Sequence, residues 1–597
     1  MLKSVRLCSG SVRIKHSLNK NEEKFVVRRR KDVQQSLKKL KIPCSENKVP
    51  NIALLGSGGG ARAMVGLLGS LDQLQKAGLL DCVLYLSGVS GSTWCMASLY
   101  QEPDWSTKLE TVKDKIVQRL NGPAVSWGDA YAKLSKYCFD KDVFSLTDFW
   151  ATMIVTIFVK EIDEHTLTKQ KNRHKKDPFP IYTAIDKQCN LNKDGDPWFE
   201  ITPYEAGYSL TGAFVETSNF GSKFENGRKI KNQPEIDMLY LQALCGSAFA
   251  DMQKNLELIG IFIWKAIKGA IAFVLKTQPK ADTEDEGLQV LMDVADMNIM
   301  VLKGIDPFDL DESIRTKLDE ISGGNFQLTS QMEKLNVADK EAAKLIMRKY
   351  TLDICKCLGA LLNFRPVHVC LSICECAAYW TWGRKYNFLH NMKDKAVPSA
   401  LLKSETRDYI DAGLLLNSPY FSVLREERDI DLIISLDFSD GDPFETVRDA
   451  AETCRKKNIP FPEVRIPNGH SEKPKDFYVF KGKNAPTVIH IPLFNVVNCG
   501  DKLEEWRNKY TTLKGSYSAA MITDLMEVAG KNITNNRVKL LEQIRVAIGQ
   551  KDPDANMKKF NKRVKLLEKI RAAIGQKDPD ANMKKFNEDW ESEYKLI

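Results

Sequence analysis

The sequence predicts an α/β fold built around a central, mainly parallel sheet. The first observation is a short apolar run over Asn51–Leu55, followed by glycines and then by a segment with helical periodicity. The apolar residues of that segment recur at the spacing of one helix face: Met64, Leu67, Leu68, Leu71 and Leu74. The same order of run, turn and helix begins again at Cys82–Leu86, and a β-branched run follows much later, at Ile430–Phe438. Successive strand–turn–helix units are typical of a parallel sheet, in which the late run would supply a central strand.

The composition is that of a globular protein with basic ends. The 597 residues are 43% hydrophobic and 28% charged, which excludes a largely disordered chain. Residues 1–50 carry 14 Lys and Arg against 4 Asp and Glu, and residues 531–597 carry 16 against 10, so the net charge of +9 resides in the ends. This distribution argues against nucleic-acid binding by the mildly acidic body. It leaves an anionic membrane and RNA both open as partners of the ends.

We expect three regions: a basic segment over residues 1–48, a main domain over 49–530 with a helical cap inserted roughly over 255–400, and a basic helical tail over 531–597. The tail contains a tandem repeat with an offset of 26 residues, Arg537–Asn561 followed by Arg563–Asn587. The first copy places these apolar residues on one helical face: Val538, Leu541, Ile544 and Ile548. Two units are too few for a solenoid, which favours a duplicated surface helix.

The cysteines and the start of the chain indicate a cytoplasmic protein that is not secreted. The fourteen cysteines have no disulfide framework, and the lysines and arginines near Met1 do not resemble a secretion signal. One group is a candidate zinc site, but its spacing and apolar neighbours favour buried structural thiols: Cys355, Cys357, His368, Cys370, Cys374 and Cys376.

One apolar segment, Ile259–Leu275, needs to be weighed as a membrane element. It contains two lysines and falls short of the ~20 apolar residues that a transmembrane helix requires, so no transmembrane span is predicted. It is interpreted as a core helix or as an interfacial helix. In the second case it would present these side chains to lipid: Ile261, Phe262, Trp264 and Phe273.

The glycine-rich segment Gly56–Met64 joins the first strand to its helix. Three interpretations of this loop are considered: a P-loop, a dinucleotide-binding loop and an oxyanion hole. A P-loop is excluded because no Gly-Lys-Ser/Thr follows. The spacing Gly56-x-Gly58-x-x-Ala61 fits a dinucleotide fingerprint, which needs an acidic residue at the end of the second strand, where Ser87–Ser90 stands instead. The third reading is an oxyanion hole, since consecutive glycines let backbone N–H groups approach a ligand at a helix start.

The second strand leads into Gly88-Val89-Ser90-Gly91-Ser92, which resembles a nucleophile elbow. Such a turn lifts a serine hydroxyl to the top of the sheet. Ser92 stands where the usual motif has glycine, so the match is imperfect. Adjacent parallel strands would bring the N–H groups of Gly59 and Gly60 near Ser90.

A nucleophilic serine needs a partner that removes its proton. None of the seven histidines lies in a recognisable motif: His16, His165, His174, His368, His390, His470 and His490. A carboxylate is the alternative. Asp411-Ala412-Gly413 precedes the late strand and is expected at a strand end or turn beside the sheet.

Taken together, several motifs in order resemble the catalytic domain of the cytosolic phospholipase A2 family, group IV, a distant relative of the patatins. These are Gly56–Met64, Ser87–Trp94, Phe199–Glu205, Asp411–Tyr420 and Asp431–Phe438. The resemblance covers about residues 45–530 and implies a patatin-like, α/β-hydrolase-related domain with a helical cap. It implies Ser90 as the nucleophile, Asp411 as its base, and Gly59 and Gly60 as the oxyanion hole. It further implies that Arg62 and Arg428 bind the substrate phosphate, a task that suits the paired donors of guanidinium.

The resemblance also sets expectations for activity and partners. It implies hydrolysis of the sn-2 acyl ester of glycerophospholipids through an acyl-serine, with lysophospholipase and transacylase side activities. No calcium- and lipid-binding domain fits before Gly56, so the chain resembles the gamma-type branch, and we expect calcium independence, no metal and no cofactor. The chain ends Tyr594-Lys595-Leu596-Ile597, without a prenylation motif.

The expected partners are phospholipid and lysophospholipid substrates and a membrane surface bound reversibly from the cytoplasm; nucleic acid is not expected. A His-assisted serine lipase and a non-catalytic lipid-binding protein are the alternatives.

Overall fold

The computed structural model describes residues 12–192, 195–250, 256–324, 332–512 and 514–550, in which helices cover a central sheet. The strands are β1 Arg13–Ile14, β2 Ile52–Gly56, β3 Tyr85–Gly88, β4 Phe179–Asp186, β5 Trp198–Ile201, β6 Glu205–Tyr208, β7 Ala213–Glu216, β8 Lys223–Glu225, β9 Arg228–Lys231, β10 Arg384–Tyr386, β11 Thr406–Asp411, β12 Leu432–Asp437, β13 Tyr478–Phe480 and β14 Thr487–Pro492. The helices are α1 Lys20–Lys39, α2 Gly60–Lys76, α3 Gly91–Leu99, α4 Leu109–Asn121, α5 Trp127–Asp140, α6 Leu146–Trp150, α7 Thr156–Val159, α8 Lys187–Asn192, α9 Met238–Cys245, α10 Leu256–Thr277, α11 Asp282–Leu302, α12 Phe308–Ser322, α13 Lys340–Leu361, α14 Arg365–Tyr379, α15 Tyr420–Val423, α16 Glu445–Lys457, α17 Leu503–Lys509, α18 Ala519–Asn535 and α19 Arg537–Gln550.

The main sheet has twelve strands among the described residues, in the order β1-β7-β6-β5-β4-β3-β2-β12-β14-β13, with β11 paired to β4 and β10 to β11. The five central strands from β4 to β14 are parallel, as predicted, and the late apolar run is the central strand β12. The strands from β4 to β7 are antiparallel because their short connections cannot hold the crossover that a parallel pair needs.

The described part of the basic N-terminal segment is built into the fold. Strand β1 pairs with β7, and helix α1 buries Phe25, Val33 and Leu37. The basic residues of α1 differ in their exposure. Arg29 is buried and donates to the carbonyl of Val83, while other basic residues of the helix are exposed. The segment from residue 12 onward therefore packs on the sheet and is not a free arm.

The region predicted as a helical cap contains helices α10 to α14. The apolar segment Ile259–Leu275 lies within α10, where Ile263, Trp264 and Ile267 are buried while Phe262 is 42% exposed. The expectation that Trp264 would face lipid is therefore wrong. By length and composition alone, Glu257–Thr277 is long enough and apolar enough to cross a membrane, a test that core helices also pass, so the absence of a transmembrane span stays a prediction.

The cysteine group and the tail are partly as expected. Cys355, Cys370 and Cys374 are buried where α13 packs against α14, and no group of three or more metal-ligating side chains occurs in the part of the chain that the structure describes. In the first repeat, α19 buries Leu540, Leu541, Ile544 and Ala547. Val538, which the sequence places on the same helical face as Leu541 and Ile544, is 73% exposed. The second repeat lies outside the described residues.

Candidate active site

Ser90 occupies the turn between β3 and α3 in a backbone conformation that side chains rarely adopt, with φ 51° and ψ −124°. Small neighbours make this turn possible, because a Cβ on Gly91 would clash with the carbonyl of Gly60. Ser92 fits where the usual motif has glycine, since its hydroxyl donates to the carbonyl oxygen of Ser57 at 2.6 Å. The strained serine at a strand–helix turn is the geometry of a nucleophile elbow.

Strand β11 brings Asp411 to this turn from the opposite direction. Gly88, at the end of β3, pairs with Tyr182 of β4, and Asp411, at the end of β11, pairs with Ala184 of β4. Strands β3 and β11 share one edge of β4, because β5 occupies the other edge at both positions. Since β3 is parallel and β11 antiparallel to β4, their last residues face each other.

The carboxyl of Asp411 is buried and interacts with the hydroxyl of Ser90. Burial raises the pKa of Asp411 to about 7, although the Gly413 N–H and the Ser90 hydroxyl both act to lower it. The Gly413 N–H donates to Oδ1 of Asp411 at 2.8 Å, which fixes the carboxyl orientation. A carboxylate with this pKa is suited to accept a proton near neutral pH.

The glycine-rich loop lies directly against Ser90. Strand β2 is parallel to β3, and a Cβ on Gly58 would come within 3.0 Å of the Cβ of Ser90. Gly59 has φ 150° and Gly60 has φ 56°, both in the region that favours glycine. Neither N–H has an acceptor within the described ranges, and α2 begins at Gly60. Unpaired N–H groups at a helix start are suited to bind a developing negative charge.

Arg62 lies beside this loop, but protein acceptors occupy its guanidinium group. The side chain is 1% exposed. It donates to the carbonyls of Phe438 and Tyr510, both at 2.6 Å, and contacts Asp440 and Thr512. Binding of a phosphate by Arg62 would require several of these bonds to break.

The structure does not bring Arg428 to the site. Its guanidinium is fully buried between the carboxylates of Glu22 and Glu200, each bonded at 2.8 Å. The guanidinium group lies 5.4 Å from the centre of the Tyr85 ring. Tyr85 precedes Ser90 by five residues, a separation on the order of 15 Å along a strand. We therefore correct the prediction that Arg428 binds the substrate phosphate. Its guanidinium group belongs to a buried ion cluster with Glu22 and Glu200.

Asn417 is a site residue that the sequence reasoning missed. Its backbone carbonyl accepts from the Gly58 N–H at 3.0 Å, and its Nδ2 donates to Ser439 at 3.0 Å. Ser439 in turn donates to Asp437 at 2.8 Å. This chain of bonds ties the glycine loop to the end of β12. The only indication in the sequence was that Asn417 follows the candidate base Asp411 by six residues, which places it in the same segment of the site.

No histidine contacts the Ser90 hydroxyl within the described ranges. Histidine rings bond to other partners, for example His174 to Asp177 and His490 to the carbonyl of Pro443. Burial lowers the pKa of His490 to about 4. These contacts give no support to a His-assisted triad.

Comparison with known proteins agrees with this geometry. A profile of the lysophospholipase catalytic domain matches residues 52–259. Cytosolic phospholipase A2 gamma of Mus musculus is 34% identical over 557 residues, which cover 89% of this chain and 92% of the relative. Cytosolic phospholipase A2 gamma of Homo sapiens is 33% identical over 555 residues, covering 91% and 97%. The chain belongs to the cytosolic phospholipase A2 family.

Solved structures support the same fold. Human GIVD cytosolic phospholipase A2 superposes with a TM-score of 0.63 at 24% identity, covering 91% of this chain and 67% of that one. Its complex with methyl gamma-linolenyl fluorophosphonate gives 0.60 at 21%, covering 91% and 66%. The predicted patatin-like fold class is confirmed. Family membership likewise confirms the predicted enzyme class, a phospholipase A2 with lysophospholipase activity.

Proposed function

We propose that the chain hydrolyses the sn-2 acyl ester of glycerophospholipids with a Ser90–Asp411 dyad. The observation that carries this proposal is the meeting of the two strand ends, which holds a strained serine hydroxyl against a buried carboxyl. The identity to the gamma-type relatives supports the substrate class. No step of this chemistry uses a metal, so we also propose calcium independence.

The mechanism follows from the positions of these groups. Asp411 accepts the hydroxyl proton as the Ser90 Oγ attacks the ester carbonyl, and the Gly59 and Gly60 N–H groups stabilise the tetrahedral oxyanion. Collapse returns the proton to the leaving lysophospholipid oxygen. Water then attacks the acyl-serine, with Asp411 again as the base. A lysophospholipid hydroxyl in place of water gives transacylation, and a lysophospholipid as substrate gives lysophospholipase activity.

We assign Arg62 a positioning role in this reaction. Its bonds connect the first turn of α2 to the segment after β12 and to Thr512 near the C-terminal helices. A Cβ on Gly59 would lie only 2.7 Å from the carbonyl of Phe438, so the loop is closely confined on that side. Arg62 therefore holds the oxyanion loop in place and adds positive charge beside it. The phosphate contact predicted from the sequence would come in addition, after a change in these bonds.

Reversible membrane binding from the cytoplasm is part of the proposal. Helix α10, the turn after α11 and the first residue of α12 expose a set of large apolar side chains: Leu258, Phe262, Ile305 and Phe308. A Cβ on Gly260 would lie 2.9 Å from Leu302, which places the start of α10 beside the end of α11. An exposed apolar patch of this kind suits insertion into a bilayer surface. The exposed lysines of α1 add a weaker, salt-sensitive attraction to anionic lipid.

Phosphatidylcholine labelled in both acyl chains, presented in vesicles with and without anionic lipid, tests the function directly. We expect release of the sn-2 chain first, at the same rate in excess chelator as in micromolar calcium. Sedimentation should show tighter binding to the anionic vesicles at low salt. Release of the sn-1 chain first, or a rate that needs calcium, would contradict the proposal.

The pKa of Asp411 predicts how the rate depends on pH. The base must be deprotonated, so with a pKa of about 7 the value of kcat/KM should fall about tenfold per pH unit below 7 and level off above it. A soluble, uncharged ester assayed from pH 5 to 9 separates this effect from membrane binding. A flat profile down to pH 5 would show that the base has a pKa below 5, and would contradict the raised pKa of Asp411.

A further inference from the structure

A lysine lies buried on strand β10, where the strand pattern calls for an apolar residue. Lys385 is 5% exposed, whereas its neighbours Arg384 and Tyr386 are half-exposed, as alternation along a strand requires. It pairs in register with Arg407 of β11, four residues before Asp411, or about 13 Å along the strand. Lys385 is therefore remote from the Ser90–Asp411 dyad, and the mechanism above does not use it.

Lys385 lines a small cavity that is open to solvent on one side. The other lining residues are mostly apolar and include Val143, Phe220, Pro234 and Ile236. The aliphatic stem of Lys385 is confined by Gly221, where a Cβ would lie 3.2 Å from its Cδ. The cavity is therefore narrow beside the Lys385 stem.

The amine of Lys385 makes no ion pair within the described part of the chain. Among the described residues, neither a carboxylate nor a hydrogen-bond acceptor contacts its Nζ, which lies 3.8 Å from the centre of the Tyr240 ring. Lys141 lies over the same ring at 4.2 Å, and its own charge is paired with Asp148 at 2.5 Å. A buried ammonium in this position lacks the partner that usually compensates for lost hydration.

We propose that Lys385 is a nucleophilic amine and a site of covalent acylation by small acyl donors. The lone pair of Nζ attacks the acyl carbon, an N–C bond forms, the leaving group departs with its bonding electron pair, and the amine proton passes to water. The product is a neutral amide. Acylation therefore removes the burden of an unpaired buried charge, and the apolar walls suit a short acyl chain.

The charges around the amine favour its neutral form. Burial, and then the like charge of Lys141, lower the pKa of Lys385 to about 7, against the opposing effect of Asp148 and Asp237. Tyr240, the remaining titratable group that faces the amine, has its pKa raised by burial and stays uncharged. About half of the Lys385 amine is then unprotonated at pH 7, as in lysines that act as nucleophiles in apolar pockets.

Trace acetylation of the whole folded protein with acetic anhydride tests the proposal. The extent of labelling at each lysine is read by mass spectrometry from pH 6 to 10. We expect labelling of Lys385 to rise with a midpoint near pH 7 and to exceed that of Lys223 at least about tenfold at pH 7.5. Lys223 is the matched control, since Glu405 raises its pKa at an accessible position.

A Lys385→Met variant supplies a second measurement that does not depend on reagent access. A buried lysine with a lowered pKa makes the unfolded state bind more protons between pH 7 and about 10, so wild-type stability rises over that range. The Tm of the variant should therefore exceed that of the wild type by more at pH 6 than at pH 9.5. Labelling of Lys385 with a midpoint near 10, or no labelling together with a constant Tm difference, would overturn the proposal.

Discussion

Ser90→Ala should lower turnover of phosphatidylcholine by about 10³-fold or more, because the residual rate after loss of a nucleophile comes from binding and the oxyanion hole alone. Asp411→Asn should lower it to a similar extent, since an amide cannot accept the hydroxyl proton. The double variant should be no worse than either single one, as expected for residues that act as a unit. Initial rates with labelled phospholipid measure all three.

Two matched variants separate chemistry from folding. Ser70 is buried in α2 and donates only to the Gly66 carbonyl of its own helix, so Ser70→Ala should keep its activity. Asp437 is as buried as Asp411, and burial likewise raises its pKa to about 7, but it contacts Ser439 and not Ser90. Asp437→Asn should therefore lose far less than Asp411→Asn. A fluorophosphonate should label the wild type at Ser90 and leave Ser90→Ala unlabelled. Labelling at another residue, or equal losses for the two aspartates, would refute the dyad.

The parts of the site that follow one another in the chain could be predicted from the sequence. The glycine loop and the turn at Ser90 each join a strand to the helix after it. The local sequence pattern therefore predicted these strands and helices, and also that the two strands lie side by side in a parallel sheet. Asp411 was expected only beside the sheet, and its role came from the family resemblance. Its position depends on the pairing of β11 with β4, along the edge of β4 that continues beyond the end of β3. No local sequence pattern encodes this pairing.

The residues that were misplaced depend on partners far away in the chain. Arg428 and Glu22 are 406 residues apart and Arg428 and Glu200 are 228 apart, so nothing near Arg428 shows that its charge is already compensated. The packing of the basic N-terminal segment on the sheet could not be predicted from the sequence for the same reason. Its buried side, with Glu22 and Phe25, is recognisable only when the sheet that it covers is known.

Arg428→Met should therefore lower the free energy of unfolding and leave recognition of the lipid phosphate unchanged. The substitution leaves the carboxylate of Glu22 buried without its ion-pair partner. Among the described residues, Glu200 keeps its ion pair with Arg425 and its hydrogen bond from Ser209. Breaking a buried ion pair from one side costs about 3–5 kcal/mol, a large share of the ~5–15 kcal/mol that holds a typical domain folded. Denaturant titration measures the loss, and Arg465→Met, at an exposed pair with Glu463, is the control expected to change little.

The arrangement of charges predicts a partial rescue. Burial acts to raise the pKa of Glu200, but Arg428 and Arg425 outweigh it and lower the pKa to about 2. Adding Glu22→Gln to Arg428→Met removes the unpaired carboxylate and leaves Glu200 with Arg425, so the double variant should regain part of the lost stability. Folded Arg428→Met should also lose turnover equally on phospholipid and on an uncharged ester. A selective loss on phospholipid at unchanged stability would restore the phosphate-binding role. The burial of Arg428 between two carboxylates gives a physical reason to expect the opposite, because a lipid phosphate would have to displace both of them from a site with no exposed guanidinium surface.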